Sequence, residues 1–308
     1  MKREQMNMNI GVSPAYITSR YGELFSFDDL CICIKKAAAQ GFTGLQLEVF
    51  RNENMRIYTS ERVKKIKELY KSLNLKLPQF IAHFLGPELA SLKKTRKERA
   101  LETFKNIVQI SKDLGTQIID LPPSIPPELE FDDSLLARPL GAYRKRVIIP
   151  NNISWNEIWE DYVNTIKRCI EIVEDASMLL AIEPLPRTIV SNSDAALRLI
   201  DSVSSKSLGV CLDTGNLFVQ KEILPLTIEK LGCRILSTHL SDNDGQKLMK
   251  WAPGKGVIDW REVIKALLKV SYNGSFDLEI LGEGVRFPDK EYLDGKKYLE
   301  EIIKDEKM

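Results

Sequence analysis

The chain has 308 residues, of which 44% are apolar and 28% charged, and its 44 basic and 43 acidic residues leave a net charge of +1. This composition is ordinary for a globular protein and argues against a general nucleic-acid interface, which needs clustered lysine and arginine. The N-terminal MKREQMNMN lacks the apolar core of a secretory signal, and no apolar run is long enough to predict a membrane span. Five scattered cysteines without a CxxC pair predict reduced thiols in a cytoplasmic protein.

The first part of the chain alternates short apolar segments with amphipathic ones. The predicted strands are residues 8–12, 42–50, 75–84 and 116–121, and the predicted helices are residues 26–41, 60–74 and 95–115. Ser26 and Ser60 are the predicted N-caps, and Gly41 and Gly115 are the predicted helix ends.

Residues 122–150 interrupt this alternation, with six prolines and little periodicity. A stretch of this length without regular structure is unusual inside a compact domain. Two interpretations stay open: a lid over a functional site and a solvated insertion.

The alternation then resumes to the end of the chain. The predicted strands are residues 177–183, 207–213, 234–240 and 274–280, and the predicted helices are 154–176, 193–203, 222–232, 259–270 and 290–306. Ser154, Ser193 and Asp259 are the predicted N-caps. Eight βα units with mostly continuous apolar strands predict an α/β fold, a single (β/α)8 TIM barrel that takes in residues 1–308 as one domain. A doubly wound open sheet is the alternative, but no GxGxxG motif follows the first strand.

A ligand-type side chain stands at the end of each of the last four predicted strands. These residues, here called the ligand cluster, are Glu183, Asp213, His239 and Glu279. A single acid at a strand end is ordinarily a helix cap or a surface charge, but the ends of parallel barrel strands share one rim. Three carboxylates and an imidazole would repel and desolvate one another there unless a cation lay between them. The pattern therefore predicts one divalent metal ion. The oxygen-rich ligand set favours Mn²⁺, Mg²⁺ or Co²⁺ and is compatible with Zn²⁺.

Four further residues are candidates for substrate binding at the same rim. His83 ends the third predicted strand, and either a substrate contact or a structural role suits it. Lys255 lies in a glycine-rich loop where the backbone can approach a ligand closely, although a solvated lysine is the competing interpretation. Arg187 could bind a substrate oxygen or phosphate, and Trp251 could form part of the pocket wall or of the core.

The motifs AIEPLPRT, CLDTGN, THLSDN, PGKGVIDW and DLEI resemble, in order and spacing, the xylose isomerase-like TIM barrels, most strongly over residues 178–280. This superfamily includes sugar isomerases and epimerases, inosose dehydratases and endonuclease IV. The resemblance implies that the ligand cluster holds one catalytic metal ion. It also implies that Glu183 and Glu279 form the acid and base pair on opposite faces of a sugar.

Some positions depart from the pattern of the ketose 3-epimerases. Ile189 replaces their second glutamate, and Asn216 replaces a histidine. On the second strand the family's usual acid appears as Gln46, with Glu48 two residues later. Asn216 and Glu48 are therefore candidate substrate contacts. Endonuclease IV needs several more histidines than the two in this chain.

The resulting hypothesis is a divalent-metal-dependent sugar isomerase or epimerase that removes a proton next to a carbonyl through a metal-bound enediolate. One alternative is a metal-dependent dehydratase of a keto-sugar or inosose at the same site. Another is a non-catalytic barrel that binds metal and sugar. The expected partner is a small sugar or sugar phosphate, with no nucleic acid and no membrane, and a homo-oligomer is compatible with the resemblance. Which sugar binds, and which metal, stay open.

Overall fold

The computed structural model describes residues 9–131, 147–281 and 288–307. Strands and helices alternate along them. The strands are β1 (Ile10–Val12), β2 (Leu47–Glu48), β3 (Phe80–Ile81), β4 (Ile118–Leu121), β5 (Glu130–Phe131), β6 (Val147–Ile148), β7 (Leu179–Ile182), β8 (Leu208–Asp213), β9 (Ile235–His239) and β10 (Phe276–Leu278). The helices are α1 (Ala15–Tyr21), α2 (Phe27–Ala39), α3 (Ser60–Ser72), α4 (Leu85–Ala90), α5 (Lys94–Leu114), α6 (Trp155–Asp175), α7 (Ser193–Val203), α8 (Thr214–Val219), α9 (Leu224–Leu231), α10 (Trp260–Lys269) and α11 (Pro288–Lys307).

Helices α2 and α6 begin where side chains can bind their free backbone N–H groups. Ser26 and Ser154 form capping boxes with Asp29 and Glu157. Gly115 ends α5 in the left-handed conformation, as predicted.

Two predicted caps are displaced by one residue. Thr59 rather than Ser60 caps α3, and Asn192 rather than Ser193 caps α7. In each case the residue before the predicted cap has an extended backbone and accepts a hydrogen bond from an N–H of the first turn, at Arg62 and Ala195. When two adjacent side chains can both accept the capping hydrogen bond, the local sequence does not show which of them is the N-cap.

The strands form one main parallel sheet of six, in the order β2-β3-β4-β7-β8-β9. A second parallel pair joins β1 to β10. Single parallel bridges at Val12–Leu45 and Leu240–Leu278 link this pair to residues just before β2 and just after β9. All of these strands run in the same direction, so their carboxyl ends lie on the same side of the molecule.

The core lies between the strands and the helices packed around them. All six residues of β8 are buried, which explains its continuous apolar sequence. Helix α6 buries a stripe at three- and four-residue spacing that includes Ile158, Tyr162 and Ile166. In the described residues, no helix combines the length and apolar character that a membrane crossing requires.

The predicted lid segment, residues 122–150, is partly described. Its two ends pair as an antiparallel ladder of β5 and β6, which the sequence did not predict. The Glu128 carboxylate accepts from the Leu92 backbone N–H at 2.9 Å, and Ile189 N donates to Ser124 O at 3.4 Å. The segment is therefore anchored beside the loop that follows β7. Its centre, residues 132–146, lies outside the described residues, so the two interpretations of its role stay open.

Candidate metal centre

The four residues of the ligand cluster meet at the carboxyl ends of neighbouring strands. Asp213 and His239 are the last residues of β8 and β9 and are register partners, while Glu183 and Glu279 directly follow β7 and β10. One ligand atom from each residue lies within 4.8 Å of the others. Glu183, Asp213 and His239 are buried and Glu279 is partly exposed, so one side of the cluster is open.

The hydrogen bonds around the cluster leave particular atoms facing one another. Asn216 donates its side-chain amide to Glu183 Oε1 at 2.9 Å and its backbone N–H to Asp213 Oδ1 at 3.0 Å. His239 Nδ1 is buried and has no hydrogen-bond partner within residues 9–131, 147–281 and 288–307. It lies 3.4 Å from Glu183 Oε2 and 3.7 Å from Glu279 Oε1. These ligand atoms therefore face one another within the cluster.

Lys250 supplies a positive charge at the edge of the cluster, and the sequence reasoning missed it. Its buried ammonium donates to both Asp213 Oδ2 and Glu279 Oε2. Its backbone is held by the bridge between Asp242 and Trp251 and by a bond from Leu281 N to Lys250 O at 3.0 Å. The cluster contains three carboxylates and contacts one ammonium group, so two negative charges remain uncompensated. One divalent cation would neutralise them.

Burial and crowding perturb the titration of these side chains. Burial raises the pKa of Glu183 to about 7. Burial also acts to raise the pKa of Asp213, but the adjacent Lys250 ammonium lowers it to about 2. Burial disfavours the charged form of His239, yet the neighbouring Cys211, Glu279 and Glu183 raise its pKa well above the usual value. The carboxylates of the ligand cluster therefore lie close together, and the positive charges beside them do not fully compensate their negative charges.

The residues present fit a divalent cation. Once its ring is neutral, His239 offers a lone pair at Nδ1 beside the facing carboxylate oxygens of Glu183 and Glu279, which makes one nitrogen and two hard oxygen donors. Asp213 adds a further carboxylate within the same cluster. Such oxygen-rich sets with one imidazole are typical of Mn²⁺, Mg²⁺ or Co²⁺ sites, and Zn²⁺ accepts them as well.

A second acid that the sequence reasoning missed lies buried next to the cluster. In the part of the chain that the structure describes, neither carboxyl oxygen of Asp120, on β4, has a hydrogen-bond partner, and Asp120 groups with Cys211 and His239. Burial, and then the charge of Glu183, raises the pKa of Asp120 well above the usual range. A protonated acid is the form that this environment favours. An aspartate inside an apolar strand, in IIDL, was the available signal.

Two predicted substrate residues from the early strands lie in perturbed surroundings. Burial, followed by the negative charge of Glu279, raises the pKa of Glu48 to about 8. His83 is half-buried and stacks on Phe50 with 4.4 Å between ring centroids. Burial, and then the charge of Arg51, lowers the pKa of His83 to about 4, which keeps the imidazole neutral near pH 7.

The other predicted substrate residues are placed differently. Asn216 is buried and engages Glu183 and Asp213, as described above. Arg187 is exposed in the loop after β7, with a left-handed φ of 67°. Lys255 is 41% exposed and pairs with Glu291 of α11 rather than with the ligand cluster. Trp251 is half-buried beside Lys250.

The glycine-rich loop that carries Lys255 is organised by a buried carboxylate. Asp242 accepts from Gly254 N at 3.0 Å, Ile258 N at 3.1 Å and Trp260 Nε1 at 2.8 Å. A Cβ atom on Gly256 would lie 2.3 Å from the carbonyl oxygen of Asn243. The close backbone approach that the glycines allow is therefore to the protein's own loop.

Alternating parallel strands and helices, with a carboxylate and imidazole cluster at the strand ends, define a TIM-barrel protein with a candidate metal centre. The xylose isomerase-like TIM barrel family matches residues 34–302, and the chain belongs to this family. This finding confirms the resemblance in the sequence motifs.

Several curated relatives are named as sugar epimerases. The chain is 23% identical to the D-psicose 3-epimerase of Enterocloster bolteae over 283 residues, 90% of this chain and 84% of that protein. It spans about half the length of other curated relatives, 53% in one case and 51% in another.

Solved structures share the fold across nearly the whole chain. A structure of L-ribulose 3-epimerase has a TM-score of 0.76 at 13% identity, covering 97% of this chain and 96% of that one. The structure of the IOLI protein, described as binding a zinc atom, has a TM-score of 0.73 at 14% identity, covering 97% and 99% of the two chains. These likenesses establish a TIM-barrel fold.

Proposed function

We propose that this protein is a divalent-metal-dependent sugar isomerase or epimerase whose ion is held by Glu183, Asp213, His239 and Glu279. The observation that carries the proposal is that His239 Nδ1, which has no hydrogen-bond partner among the described residues, lies 3.4 Å from Glu183 Oε2 and 3.7 Å from Glu279 Oε1. The 3-epimerase relatives and the zinc-binding IOLI structure support it. We further infer that the two bridges close eight parallel strands into one barrel, and that the chain is a single domain.

The chemistry divides between the ion and the side chains. When bound, the ion would polarise a carbonyl and a neighbouring hydroxyl of the sugar and so acidify the C–H bond between them. Glu183 and Glu279 project from β7 and β10, separated in the barrel by β8 and β9, and can address opposite faces of that carbon. One glutamate removes the proton as a base and the other returns a proton as an acid.

The surroundings of Glu183 suit this work. In the metal-free site the pKa of Glu183 is about 7, so its carboxyl can be brought to the deprotonated form that a base requires near neutral pH. The Asn216 amide holds Oε1 and leaves Oε2 facing the cluster. Lys250 holds one oxygen of Glu279 in the same way. Both proposed acid–base groups thus have one oxygen restrained by the protein.

The test is proton exchange in D₂O. Purified protein is incubated with Mn²⁺, Co²⁺ or Mg²⁺ and a panel of ketopentoses and ketohexoses, free and phosphorylated. NMR follows deuterium at the carbon next to the carbonyl, and mass spectrometry follows loss of water. Exchange with epimer formation is expected, and it should disappear after chelation. Release of water instead would identify a dehydratase, and sugar binding without either change would identify a non-catalytic barrel.

A further inference from the structure

A chain of buried hydrogen bonds reaches the ligand cluster from inside the strand layer. Gln46 donates its amide Nε2 to Asp277 Oδ2 at 2.8 Å, and Gln46 Oε1 lies 2.8 Å from His239 Nε2. All three residues are at most 1% exposed. Asp277 Oδ1 accepts from Ser275 Oγ at 2.7 Å. This polar chain, made of Asp277, Gln46 and His239, joins the second strand region to β10 and β9.

The donor and acceptor properties of the three groups fix the direction of the polar chain. An ionised carboxylate can only accept hydrogen bonds, so the Gln46 face that meets Asp277 must be its NH₂ group. The Gln46 oxygen then faces His239. If His239 Nε2 carried no hydrogen, two acceptors would lie 2.8 Å apart in a buried site, which is strongly unfavourable. His239 Nε2 must therefore carry the hydrogen and donate it to Gln46.

A second glutamine is consistent with this direction. Gln79 Nε2 donates to Gln46 Oε1 at 3.0 Å, which also requires the Gln46 oxygen on that side. The contact of Gln79 Nε2 with His239 Nε2 is longer, at 3.2 Å. His239 Nε2 thus lies closer to the Gln46 oxygen than to Gln79 Nε2, so we infer that the ring hydrogen is on Nε2 and is donated to Gln46.

We propose that Asp277 and Gln46 are positioning residues, which hold His239 as the Nε2–H tautomer and so present the lone pair of Nδ1 to the ligand cluster. A neutral imidazole carries one ring hydrogen, so hydrogen at Nε2 leaves Nδ1 able to bind a cation. The use of Nδ1 rests on the proposed metal centre, whereas the direction of the polar chain does not. Outer partners that orient a ligand histidine typically change metal affinity about 10–100-fold when they are lost.

Three variants separate the parts of this proposal. Gln46→Met keeps the side-chain length but removes the acceptor for His239 Nε2. Asp277→Asn replaces an obligate acceptor with an amide that can also donate, which allows Gln46 to turn over and offer its NH₂ group to the ring. Gln79→Met is the matched control, because it removes a second donor to Gln46 Oε1 while Asp277 still fixes the orientation of the Gln46 amide.

The measurement is a long-range ¹H–¹⁵N NMR spectrum of histidine-labelled protein, which is readable because the chain has only two histidines and His83→Phe assigns the other. Spectra are taken of metal-free protein at alkaline pH, where the ring is neutral, and of Zn²⁺-loaded protein. Zn²⁺ affinity is measured by titration calorimetry on each variant.

The wild type should show at least about a tenfold excess of the Nε2–H tautomer of His239 when neutral, and Zn²⁺ on Nδ1. Gln46→Met and Asp277→Asn should reduce that excess several-fold and weaken Zn²⁺ binding about 10–100-fold, while Gln79→Met should retain both. An Nδ1–H ring in the wild type, or an unchanged tautomer ratio in both test variants, would overturn the proposal. If Gln46→Met does not fold, Asp277→Asn decides alone. If the wild type shows the expected tautomer but binds no Zn²⁺, the metal centre fails while the polar chain's direction stands.

Discussion

The two halves of the strand layer contribute different chemistry to the same site. Strands β7 to β10 each place one titratable ligand-type side chain at their carboxyl ends, within one cluster. From the other half come neutral amides, Gln46 and Gln79, and a buried Asp120 whose raised pKa favours the uncharged form. One half thus provides charge and the other provides orientation, which keeps the number of buried ionised groups low.

The largest expected effect is on catalysis and concerns the charged half. Glu183→Gln should lower the exchange rate about 10²–10⁴-fold, because the amide cannot take up a proton while its size and its bond to Asn216 can be kept. The measurement is deuterium uptake into the best sugar at saturating Mn²⁺. Glu102→Gln, at a side chain that is 71% exposed on α5, is the control and should match the wild type. Equal rates in both variants would remove Glu183 from the reaction.

The next effect separates the two histidines. His239→Ala should lower metal affinity by more than about 100-fold, since loss of a direct ligand exceeds the usual effect of an outer partner. His83→Ala, which alters a ring stacked on Phe50, should retain the metal. Metal content per chain, measured by mass spectrometry after dialysis, compares the two. Similar metal content in both variants would contradict the assignment of the ligand cluster.

A third prediction compares the loss of stability on replacing the buried Lys250 with that on replacing the exposed Lys255. Lys250→Met leaves the buried Asp213 and the partly exposed Glu279 without their ammonium partner, so the metal-free protein should lose about 3–5 kcal/mol of stability. Lys255→Met breaks a pair that is 41% exposed on the lysine side and should cost no more than about 1 kcal/mol. Urea unfolding of metal-free protein measures both.

Metal should compensate for the lost ammonium. Saturating Mn²⁺ should therefore raise the stability of Lys250→Met by more than that of the wild type. An equal increase in both proteins would mean that Lys250 and the cation do not share the carboxylates.

The smallest expected effect is a pH slope in the metal-free protein. The pKa values of Glu183 and Glu48 are raised to about 7 and about 8, so between about pH 4.5 and 8 the folded state binds more protons than the unfolded state. Within this range the free energy of unfolding should be highest near about pH 4.5, and it should fall as the pH rises through 7 and 8. Denaturation midpoints at half-unit pH steps measure this slope, and Glu48→Gln should flatten its upper part.

Metal should reverse that dependence. Because the ion binds deprotonated carboxylates, its affinity should rise with pH and its binding should release protons in this range. Calorimetry in buffers of different ionisation enthalpy counts the released protons. A metal affinity independent of pH from 5 to 8 would argue against Glu183 as a ligand.

The sequence by itself determined the features that depend on position along a strand or helix. Glu183, Asp213, His239 and Glu279 each follow or end an apolar run, and parallel strands bring such ends to one rim without further information. The order of strands and helices and most of the caps could be predicted for the same reason, since hydrophobic period and capping act over a few residues.

Only the tertiary structure decided where loop side chains point and which buried polar groups pair. Lys250 and Lys255 lie five residues apart in one loop, yet one reaches the cluster and the other reaches Glu291, because Asp242 and Leu281 hold the loop backbone. Gln46 and Asp277 bond across 231 positions of sequence. Such partners are brought together by packing of the whole strand layer, and no local period encodes the direction of a hydrogen bond between them.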